Sequence, residues 1–397
     1  MTQKIFYEDA YCREFDAVVV SCTEHKGRYE IILDRTAFYP EGGGQSGDTG
    51  TLRFPTDEGG QGSAEIFDTH ETPEGIAHYS KTPVEAGTRV QGTIDWDRRF
   101  DLMQNHTGEH IVSGLIHEAY GYENVGFHMG SDMITIDLSG ELTAQQLREI
   151  EAKANETVWR NVPVGIRVYD EESVKALTYR SKKELHGEVR IVTVPGADVC
   201  ACCGTHVRTT GEIGLIKLIS CEKFRGGVRV EMLCGRKALE YMNEVWEQNH
   251  RISVALSARP LATAEAVDRM KSAAAQDSMR MADMERRQNE LEAAQLAGAG
   301  NCVLFRENLG ADNVRRLAVS VMESCKGICA VFSGDDGSGY KYAAGLENGD
   351  IRSLVKEMNT ELNGRGGGKP FFAQGSVTCT RNDIESFFSA KGDWKVV

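Results

Sequence analysis

Two pairs of side chains, each pair four residues apart, constrain the fold of this chain more than any other feature. His106 and His110 belong to one segment, and Cys202 and His206 belong to a second segment far along the chain. On a helix, residues i and i+4 project from one face, so both imidazoles can chelate one metal ion. A thiolate and a third imidazole from the Gly-containing turn at Cys202 would complete the tetrahedral set that zinc prefers. The sequence therefore predicts a zinc site that joins two distant segments.

Each half of this pattern has an ordinary interpretation when it is taken alone. Histidines at this spacing also occur as core or surface residues of amphipathic helices. Cys200 and Cys203 form a C-x-x-C pattern, which fits a redox pair or simply buried thiols. Glu109 precedes the second histidine rather than following the first, so the H-E-x-x-H arrangement of metalloproteases is not reproduced. Together, the two halves favour a metal.

The rest of the composition fits a reduced, soluble protein in the cytoplasm. The 11 cysteines are an odd number scattered from Cys12 to Cys379, which favours free thiols and a metal site over a disulfide framework. We find no signal-peptide pattern, and no apolar run approaches the ~20 residues that cross a bilayer. We therefore expect no membrane contact.

The charge is unevenly distributed along the chain. The formal net charge is -14, which by itself disfavours a nucleic-acid partner. Residues 1–95 hold 8 basic and 17 acidic side chains, whereas residues 175–229 hold 10 basic and 5 acidic ones. The segment around the cysteines is thus positively charged, which fits either a bound polyanion or a solvated surface.

Residues 1–95 predict a small β-barrel or sandwich, because short alternating segments are separated by turn residues. The segment Phe38 to Gln45 stands out within this region. Its three glycines, Gly42, Gly43 and Gly44, allow another surface to approach the backbone closely, although a plain loop between strands explains them too. We take Gly42, Gly43, Gly44 and Gln45 as candidate substrate-binding residues.

Residues 96–236 predict an α+β layer with two helices on a mixed or antiparallel sheet. The first helix runs from Asp97 to about Tyr120 and carries both histidines on a polar stripe. The second helix runs from Leu142 to Asn161, with Thr143 as its N-cap. Strands are predicted from Met133, Val164, Val189 and Ile213.

Residues 237–297 predict a helical hairpin that Pro260 interrupts, with a partial heptad seam typical of a coiled-coil arm. Residues 298–397 alternate between strand and helix and predict a small α/β domain. The glycine run from Gly364 to Lys369 is not a P-loop, because Pro370 follows where Ser or Thr is required. We expect a turn there, either structural or contacting an RNA backbone.

Four segments, taken in order, resemble the freestanding alanyl-tRNA editing proteins, which are relatives of the editing domain of alanyl-tRNA synthetase. They are Phe38 to Gln45, Asn105 to His110, Gly126 to Gly130 and Cys202 to Val207. The helical arm and the glycine run resemble the C-terminal domain of that synthetase, so the chain is similar to the long form over nearly its whole length. Cys203 departs from the family pattern, which has glycine at that position.

The resemblance implies a trans-editing hydrolase that deacylates mischarged tRNA(Ala), chiefly Ser-tRNA(Ala) and secondarily Gly-tRNA(Ala), with no need for ATP. The implied fold is a multi-domain α+β chain. It comprises an N-terminal β-barrel (1–95), a zinc-containing editing domain (96–236), a coiled-coil arm (237–297) and a C-terminal domain (298–397) that binds RNA or dimerises. The implied Zn²⁺ ligands are His106, His110, Cys202 and His206.

Two roles for this zinc stay open at the level of the sequence. It either activates the ester carbonyl or a water, or it only orients the substrate while Glu109 or His128 handles protons. Four protein ligands favour a closed, structural site. Two other functions also stay open: a zinc hydrolase of another ester, and a non-catalytic RNA-binding protein that zinc stabilises.

Overall fold

The computed structural model of this chain describes residues 2–56, 59–130, 133–181, 185 and 187–397. The chain divides into two compact units, Met1–His250 and Arg251–Val397. The first unit contains both segments that were predicted to hold the metal. The predicted helical arm, residues 237–297, crosses the boundary between the units.

A closed six-stranded barrel forms the first part of the Met1–His250 unit, as the alternating sequence predicted. Along its first long strand, Phe15, Ala17 and Val19 are buried while their neighbours are exposed, because successive side chains of a strand point to opposite faces. The elements of this region are β1 (Gln3–Lys4), α1 (Ile5–Glu8), β2 (Glu14–His25), β3 (Arg28–Leu33), β4 (Arg35–Thr36), β5 (Gly50–Pro55), β6 (Gln61–Thr72), β7 (Gly75–Ser80) and β8 (Arg89–Ile94). The barrel order is β2-β3-β7-β6-β5-β8, and β2 closes it by pairing with both β3 and β8.

Two helices pack on an antiparallel sheet in the second part of the same unit. Helix α2 (Trp96–Tyr120) begins at the N-cap Asp95, whose side chain accepts a hydrogen bond from the backbone of Arg98. Helix α3 (Ala144–Trp159) begins at Thr143, which forms the predicted cap within a complete capping box. The sheet has the order β14-β15-β10-β9, and its strands are β9 (Asn124–Met129), β10 (Ile134–Leu138), β14 (Ile216–Phe224) and β15 (Gly227–Cys234).

A smaller antiparallel sheet carries the cysteine motif. It consists of β11 (Gly165–Tyr169), β12 (Val189–Val194) and β13 (Asp198–Ala201). Cys202 follows β13 directly, so the end of this strand fixes where the second pair of predicted ligands begins. Short 3₁₀ turns flank the sheet at Ser173–Ala176 and Thr210–Ile213.

Two long helices occupy the predicted arm and are interrupted at Pro260, as expected. They are α4 (Gly235–Ala255) and α5 (Thr263–Gln295), with a 3₁₀ turn at Pro260–Ala262. Met270, Met281, Met284 and Leu291 of the proposed heptad seam are exposed on α5. The coiled coil therefore stays a prediction.

The Arg251–Val397 unit contains a six-stranded mixed sheet. The elements around it are β16 (Gly300–Arg306), α6 (Ala311–Cys325), β17 (Lys326–Asp335), β18 (Gly339–Gly345), α7 (Arg352–Glu361), β19 (Gly364–Lys369), β20 (Phe372–Val377), α8 (Arg381–Ser389) and β21 (Lys395–Val396). The strand order in the sheet is β19-β20-β18-β17-β16-β21. This agrees with the predicted α/β domain.

The expected turn at Gly364–Lys369 is wrong, because this segment is strand β19. It pairs antiparallel with β20 over its whole length, from Gly364 opposite Val377 to Lys369 opposite Phe372. Ladder hydrogen bonds to β20 satisfy the backbone and outweigh the poor strand propensity of glycine. The turn directly follows β19, at Pro370 and Phe371, and connects β19 to β20.

No helix among the described residues is long and apolar enough to cross a membrane.

Candidate metal centre

The four predicted metal ligands come together in the Met1–His250 unit. Helix α2 supplies His106 and His110, and the turn after β13 supplies Cys202 and His206; one ligand atom from each lies within 4.8 Å of the others. Cys202 Sγ is 3.4 Å from His106 Nε2 and 3.4 Å from His206 Nε2. Zinc bonded tetrahedrally to nitrogen and sulfur at its usual bond lengths would separate these atoms by about 3.5 Å. The spacing therefore fits zinc without rearrangement.

Hydrogen bonds assign the same tautomer to all three imidazoles. His106 Nδ1 contacts Gln45 Oε1 at 2.9 Å, and His110 Nδ1 contacts Asp198 Oδ2 at 2.8 Å. His206 Nδ1 lies 3.2 Å from Thr107 Oγ1, whose own proton is donated to a backbone carbonyl. Because each of these partners accepts, every Nδ1 carries a proton, which leaves Nε2 as the nitrogen that can bind a metal.

The charge distribution favours a thiolate at Cys202. Burial disfavours its ionisation, but the electrostatic attraction of nearby imidazoles, first His106 and then His110, outweighs burial and holds the pKa of this thiol well below its usual range. The backbone N–H of Gly204 also donates to Cys202 Sγ at 3.3 Å. Burial lowers the pKa of His206 to about 3, which keeps that ring neutral. Burial lowers the pKa of His110, but the negative charges of Cys202 and Asp198 outweigh burial and hold this pKa well above its ordinary value. His110 must therefore release a proton when it binds zinc, whereas His206 is already neutral.

The neighbouring cysteines do not behave as a reactive pair. Burial raises the pKa of Cys200 to about 11, whereas Cys203 is exposed. Both thiols are free. A raised thiol pKa works against the thiolate that disulfide exchange needs, so this arrangement disfavours the C-x-x-C redox interpretation.

A buried carboxylate that the sequence analysis missed supports His110. Asp198 accepts from His110 through Oδ2, and it is held from the other side by Arg180, whose Nε and Nη2 donate at 2.8 and 2.9 Å. The side chains of His110 and Asp198 are 4% and 1% exposed, so this contact is screened from water. The only sequence signal was an acidic residue at an inward position of a strand that leads into the cysteine motif.

The candidate residues Gly42 to Gln45 form a tight turn beside the metal ligands. Gly42 and Gln45 exchange two backbone hydrogen bonds of 3.0 Å. Gly43 and Gly44 between them have φ of +62° and +88°, which is the pattern of a type I′ turn. Gly44 cannot carry a side chain, because a Cβ would lie 2.6 Å from the ring of Phe127. Phe127 in turn stacks on His106 with the ring centroids 5.4 Å apart.

Gln45 is placed behind His106 rather than on an open surface. Its side chain is fully buried; Oε1 also accepts from the backbone N–H of Thr205 at 3.0 Å, and Nε2 donates to Thr205 Oγ1 at 2.8 Å. Both ends of the amide are thus used by the protein. Gln45 therefore links the barrel segment to both halves of the metal centre.

A cavity of about 570 Å³ opens beside the four ligands. It is large enough for an aminoacylated nucleoside, since small-molecule sites commonly span 300–1,000 Å³. Gly43, Glu109, Phe127, Arg180 and Arg190 contribute to its lining, together with three of the four ligands.

The two candidate proton-transfer residues are placed differently. Glu109 is 4% exposed and lines the cavity; its Oε1 accepts from Ser113 Oγ at 2.6 Å and from Asn124 Nδ2 at 2.5 Å. Within the described chain, Oε2 has no hydrogen-bond partner. His128 is exposed on β9 and is not among the described residues that line the cavity. Strand alternation explains this, because Phe127 faces His106 and its neighbour must point away.

Two protein-family models match parts of this chain. The model described as "Threonyl and Alanyl tRNA synthetase second additional domain" matches residues 189–231, which include Cys202 and His206. The model described as "tRNA synthetases class II (A)" matches residues 10–98, which include the barrel strands. The two matches thus fall on the two regions that meet at the metal centre.

Similar proteins extend the match to most of the chain. The alanyl-tRNA editing protein AlaX-L of Pyrococcus horikoshii is 28% identical over 400 residues, covering 97% of this chain and 96% of that protein. The alanine–tRNA ligase of Pyrobaculum neutrophilum is 32% identical over 419 residues, covering 98% of this chain and 44% of the ligase. The ligase of Halorubrum lacusprofundi is 31% identical, covering 94% of this chain and 42% of the ligase. The chain therefore spans less than half the length of these ligases.

One solved structure, the C-Ala domain of Aquifex aeolicus alanyl-tRNA synthetase, matches 23% of this chain and 85% of that chain. The sequence identity is 18% and the TM-score is 0.21. A TM-score this low supports no argument about the fold.

Proposed function

This chain is related over almost its whole length to the alanyl-tRNA editing proteins, and on that basis we propose that it is a trans-editing hydrolase. Its substrate is tRNA(Ala) that carries a wrong amino acid, chiefly serine and secondarily glycine. The reaction is hydrolysis of the aminoacyl ester. The observation that carries this proposal is the cluster of three imidazoles and one thiolate beside a cavity that fits an aminoacylated nucleoside.

We propose Zn²⁺ as the cofactor, held by His106, His110, Cys202 and His206. The donor atoms support zinc because they combine nitrogen and sulfur, lie at compatible distances and already have the required tautomers. When bound, zinc would supply a positive charge that stabilises negative charge developing on an ester oxygen, and with four protein ligands it would need a fifth coordination position to do so directly.

Glu109 is the residue to which we assign proton transfer. One carboxylate oxygen is fixed by Ser113 and Asn124, and the other is left available to a water in the cavity. A carboxylate held at one oxygen and available at the other can orient a water and accept its proton. We prefer Glu109 to His128, because the exposed His128 side chain is not part of the cavity wall.

The selectivity for serine over alanine rests on the hydroxyl group. Steric exclusion cannot reject alanine, because alanine is the smaller residue. A site that hydrogen-bonds the serine hydroxyl leaves polar groups unpaired when a methyl group arrives, and such sites discriminate by roughly 10⁴-fold or more. Gly43 is our candidate for part of the wall that contacts the amino acid, because it lines the cavity without a side chain.

One pair of assays tests the activity. Purified protein should deacylate Ser-tRNA(Ala) and leave Ala-tRNA(Ala) intact. Hydrolysis of neither, with tRNA binding preserved, would instead indicate a non-catalytic RNA-binding protein. Hydrolysis of unrelated esters without preference for tRNA would indicate a general zinc hydrolase.

The metal assignment has its own test. The protein should copurify with about one zinc per chain, as measured by elemental analysis. Cys202→Ala should lose this zinc, whereas the matched variant Cys203→Ala should keep it. The opposite result would mean that the wrong thiolate had been chosen.

We assign tRNA contact or homodimer formation to the C-terminal region. Support comes from β19, an edge strand on which Arg365 and Lys369 are exposed. Truncation after His250 should raise KM for tRNA while keeping kcat at saturating tRNA, since the catalytic residues precede this point. Loss of turnover at saturation, with zinc retained, would overturn this assignment.

A further inference from the structure

Arg190 is a cation on the cavity wall that the proposed chemistry does not use. We propose that Arg190 binds the phosphodiester that precedes the 3′-terminal nucleotide of the aminoacyl-tRNA. This inference rests on the proposed function and names the part of the substrate that this residue recognises.

The guanidinium of Arg190 is fixed in place at the metal centre. Its Nη1 donates to the backbone carbonyl of Cys202 at 2.7 Å, and the two residues also pair through their backbones. The guanidinium carbon lies 5.3 Å from the centre of the Tyr7 ring, within the range of a cation–π contact. A side chain held at two points loses little entropy when it binds a ligand.

Most of the N–H donors of the Arg190 side chain make no hydrogen bond within the described part of the chain. A guanidinium has five N–H donors, and one bond to Cys202 is the only side-chain hydrogen bond that Arg190 makes within the described part of the chain. No carboxylate among the described residues forms an ion pair with it. A planar cation with donors to spare suits bidentate binding of a phosphate.

The other charged groups of the cavity direct an anion to Arg190. Arg180 is already neutralised by Asp198, to which it donates twice. Glu109, Glu123 and Glu188 also line the cavity and repel an anion. Arg190 is therefore the cation of the described wall that an incoming phosphate can pair with.

The substrate carries a phosphate close to the ester that is cleaved. The ester to be cleaved is on the ribose of the terminal nucleotide, and the 5′-phosphate of that nucleotide is attached to the same ribose. A residue bonded to the carbonyl of the ligand Cys202 is thus close enough to contact this phosphate while the ester faces the metal centre. A free amino-acid ester offers no such anion, so Arg190 would favour ester on a nucleic acid.

Two substrates that differ only in this phosphate test the proposal. They are O-seryl-adenosine and its 5′-methylphosphate diester, and the readout is the ratio of their kcat/KM values. The wild-type protein should prefer the diester. Arg190→Gln should reduce that preference roughly ten-fold or more, because a hydrogen-bonded charge pair is lost. Arg190→Lys, which keeps the charge but loses the planar donors, should retain part of it.

Arg208→Gln is the matched control. Arg208 also lies over a tyrosine ring, 4.0 Å from the centre of Tyr11, but it does not line the cavity. This variant should keep the wild-type preference, and all variants should be compared at equal zinc content. If either adenosine ester turns over too slowly, the inhibition constants of adenosine and its 5′-methylphosphate diester against Ser-tRNA(Ala) hydrolysis measure the preference in binding, and the same changes are expected in the variants.

Three results would overturn the assignment of Arg190. They are no preference for the diester in the wild-type protein, an unchanged preference in Arg190→Gln, and an equal loss in Arg208→Gln. Failure of the wild-type protein to hydrolyse Ser-tRNA(Ala) would instead refute the proposed function, so the two failures are distinguishable.

Discussion

His110 Nδ1 donates a 2.8 Å hydrogen bond to Asp198 Oδ2, and this bond joins the two segments that supply the metal ligands. Helix α2 carries His110, and β13 carries Asp198 just before Cys202. The ligands on α2 and in the turn after β13 are thus held together by protein contacts as well as by any metal. A metal centre arranged in this way loses less entropy on binding its ion.

The first prediction concerns this contact. Asp198→Asn keeps the size of the side chain but removes the charge that orients His110 and pairs with Arg180. We expect zinc affinity to fall about 10- to 100-fold, as for other residues that orient metal-bound histidines. Competition with a chromophoric chelator measures the dissociation constant.

A matched control is available on β10. Asp137 also forms a two-bond pair with an arginine, Arg229, but neither touches a metal ligand. Asp137→Asn should leave zinc affinity unchanged. Equal affinities in the wild-type protein and Asp198→Asn would show that His110 needs no carboxylate.

Much of the fold could be predicted because it depends on local patterns. The inward residues of the barrel strands alternate, and Thr143 stands where a helix N-cap should. Such local patterns do not predict contacts between residues that are far apart in the sequence. Asp198 and Arg180 were missed because only the folded chain brings them to His110.

Two local features have physical causes that the sequence partly contains. The glycine run at β19 has poor strand propensity, and only its partner strand β20 makes it a strand. His128 stays a prediction for proton transfer; strand alternation puts Phe127 and His128 on opposite faces, and Phe127 is the one that stacks on His106. The period of two residues in a strand predicts from the sequence that only one of these two side chains faces His106.

The second prediction concerns Gly204, which packs directly against a metal ligand. A Cβ on Gly204 would overlap His106 Cε1 and would lie 2.9 Å from Gln45 Oε1. Gly204→Ala must therefore displace the His106 ring, and such overpacking costs about 1–3 kcal/mol. We expect reduced zinc content and a lower melting temperature, measured by elemental analysis and calorimetry.

The comparison for this variant is Gly165→Ala on β11. At Gly165 the nearest heavy atoms would be 3.8 Å from the new Cβ, which is ordinary contact. Zinc content should be normal in this variant. Normal zinc binding in Gly204→Ala as well would mean that the ligand turn adapts easily.

The third prediction concerns acid stability and rests on His78 in the barrel. This ring is completely buried; its Nδ1 donates to Ile31 O at 2.9 Å, and its Nε2 accepts from Thr36 Oγ1 at 2.8 Å. Burial lowers the pKa of His78 to about 4, from 6.5 in the unfolded chain. The unfolded state therefore binds a proton at a higher pH than the folded state does.

The sign of the effect follows from this difference in proton binding. The contribution of His78 is complete above pH 6.5 and is lost as the pH falls towards 4, by about 3 kcal/mol in total. Denaturant unfolding measured between pH 4 and 6.5 should show that the free energy of unfolding rises with pH, and His78→Gln should make this rise smaller. The control His25→Gln changes an exposed histidine and should leave the pH dependence of the unfolding free energy unchanged. If His78→Gln showed the wild-type pH dependence, the acid sensitivity would belong to other groups.

The fourth prediction tests whether the barrel takes part in the active site. Gly43 lines the cavity and has φ of +62°, and a Cβ added to it would meet no atom within 4 Å. Gly43→Val would project a branched side chain from this turn into open space at the cavity. We expect a slower hydrolysis of Ser-tRNA(Ala), with zinc content unchanged.

Backbone strain has to be separated from this effect, since valine at positive φ costs about 1–2 kcal/mol anywhere. Gly27, in the turn between β2 and β3, has φ of +75°, also has open space around it, and does not line the cavity. Gly27→Val should therefore lose similar stability while keeping its kcat/KM for Ser-tRNA(Ala). If Gly43→Val also hydrolysed Ser-tRNA(Ala) at the wild-type rate, the glycine turn would be an ordinary connection, because a side chain in the path of the substrate must slow its reaction.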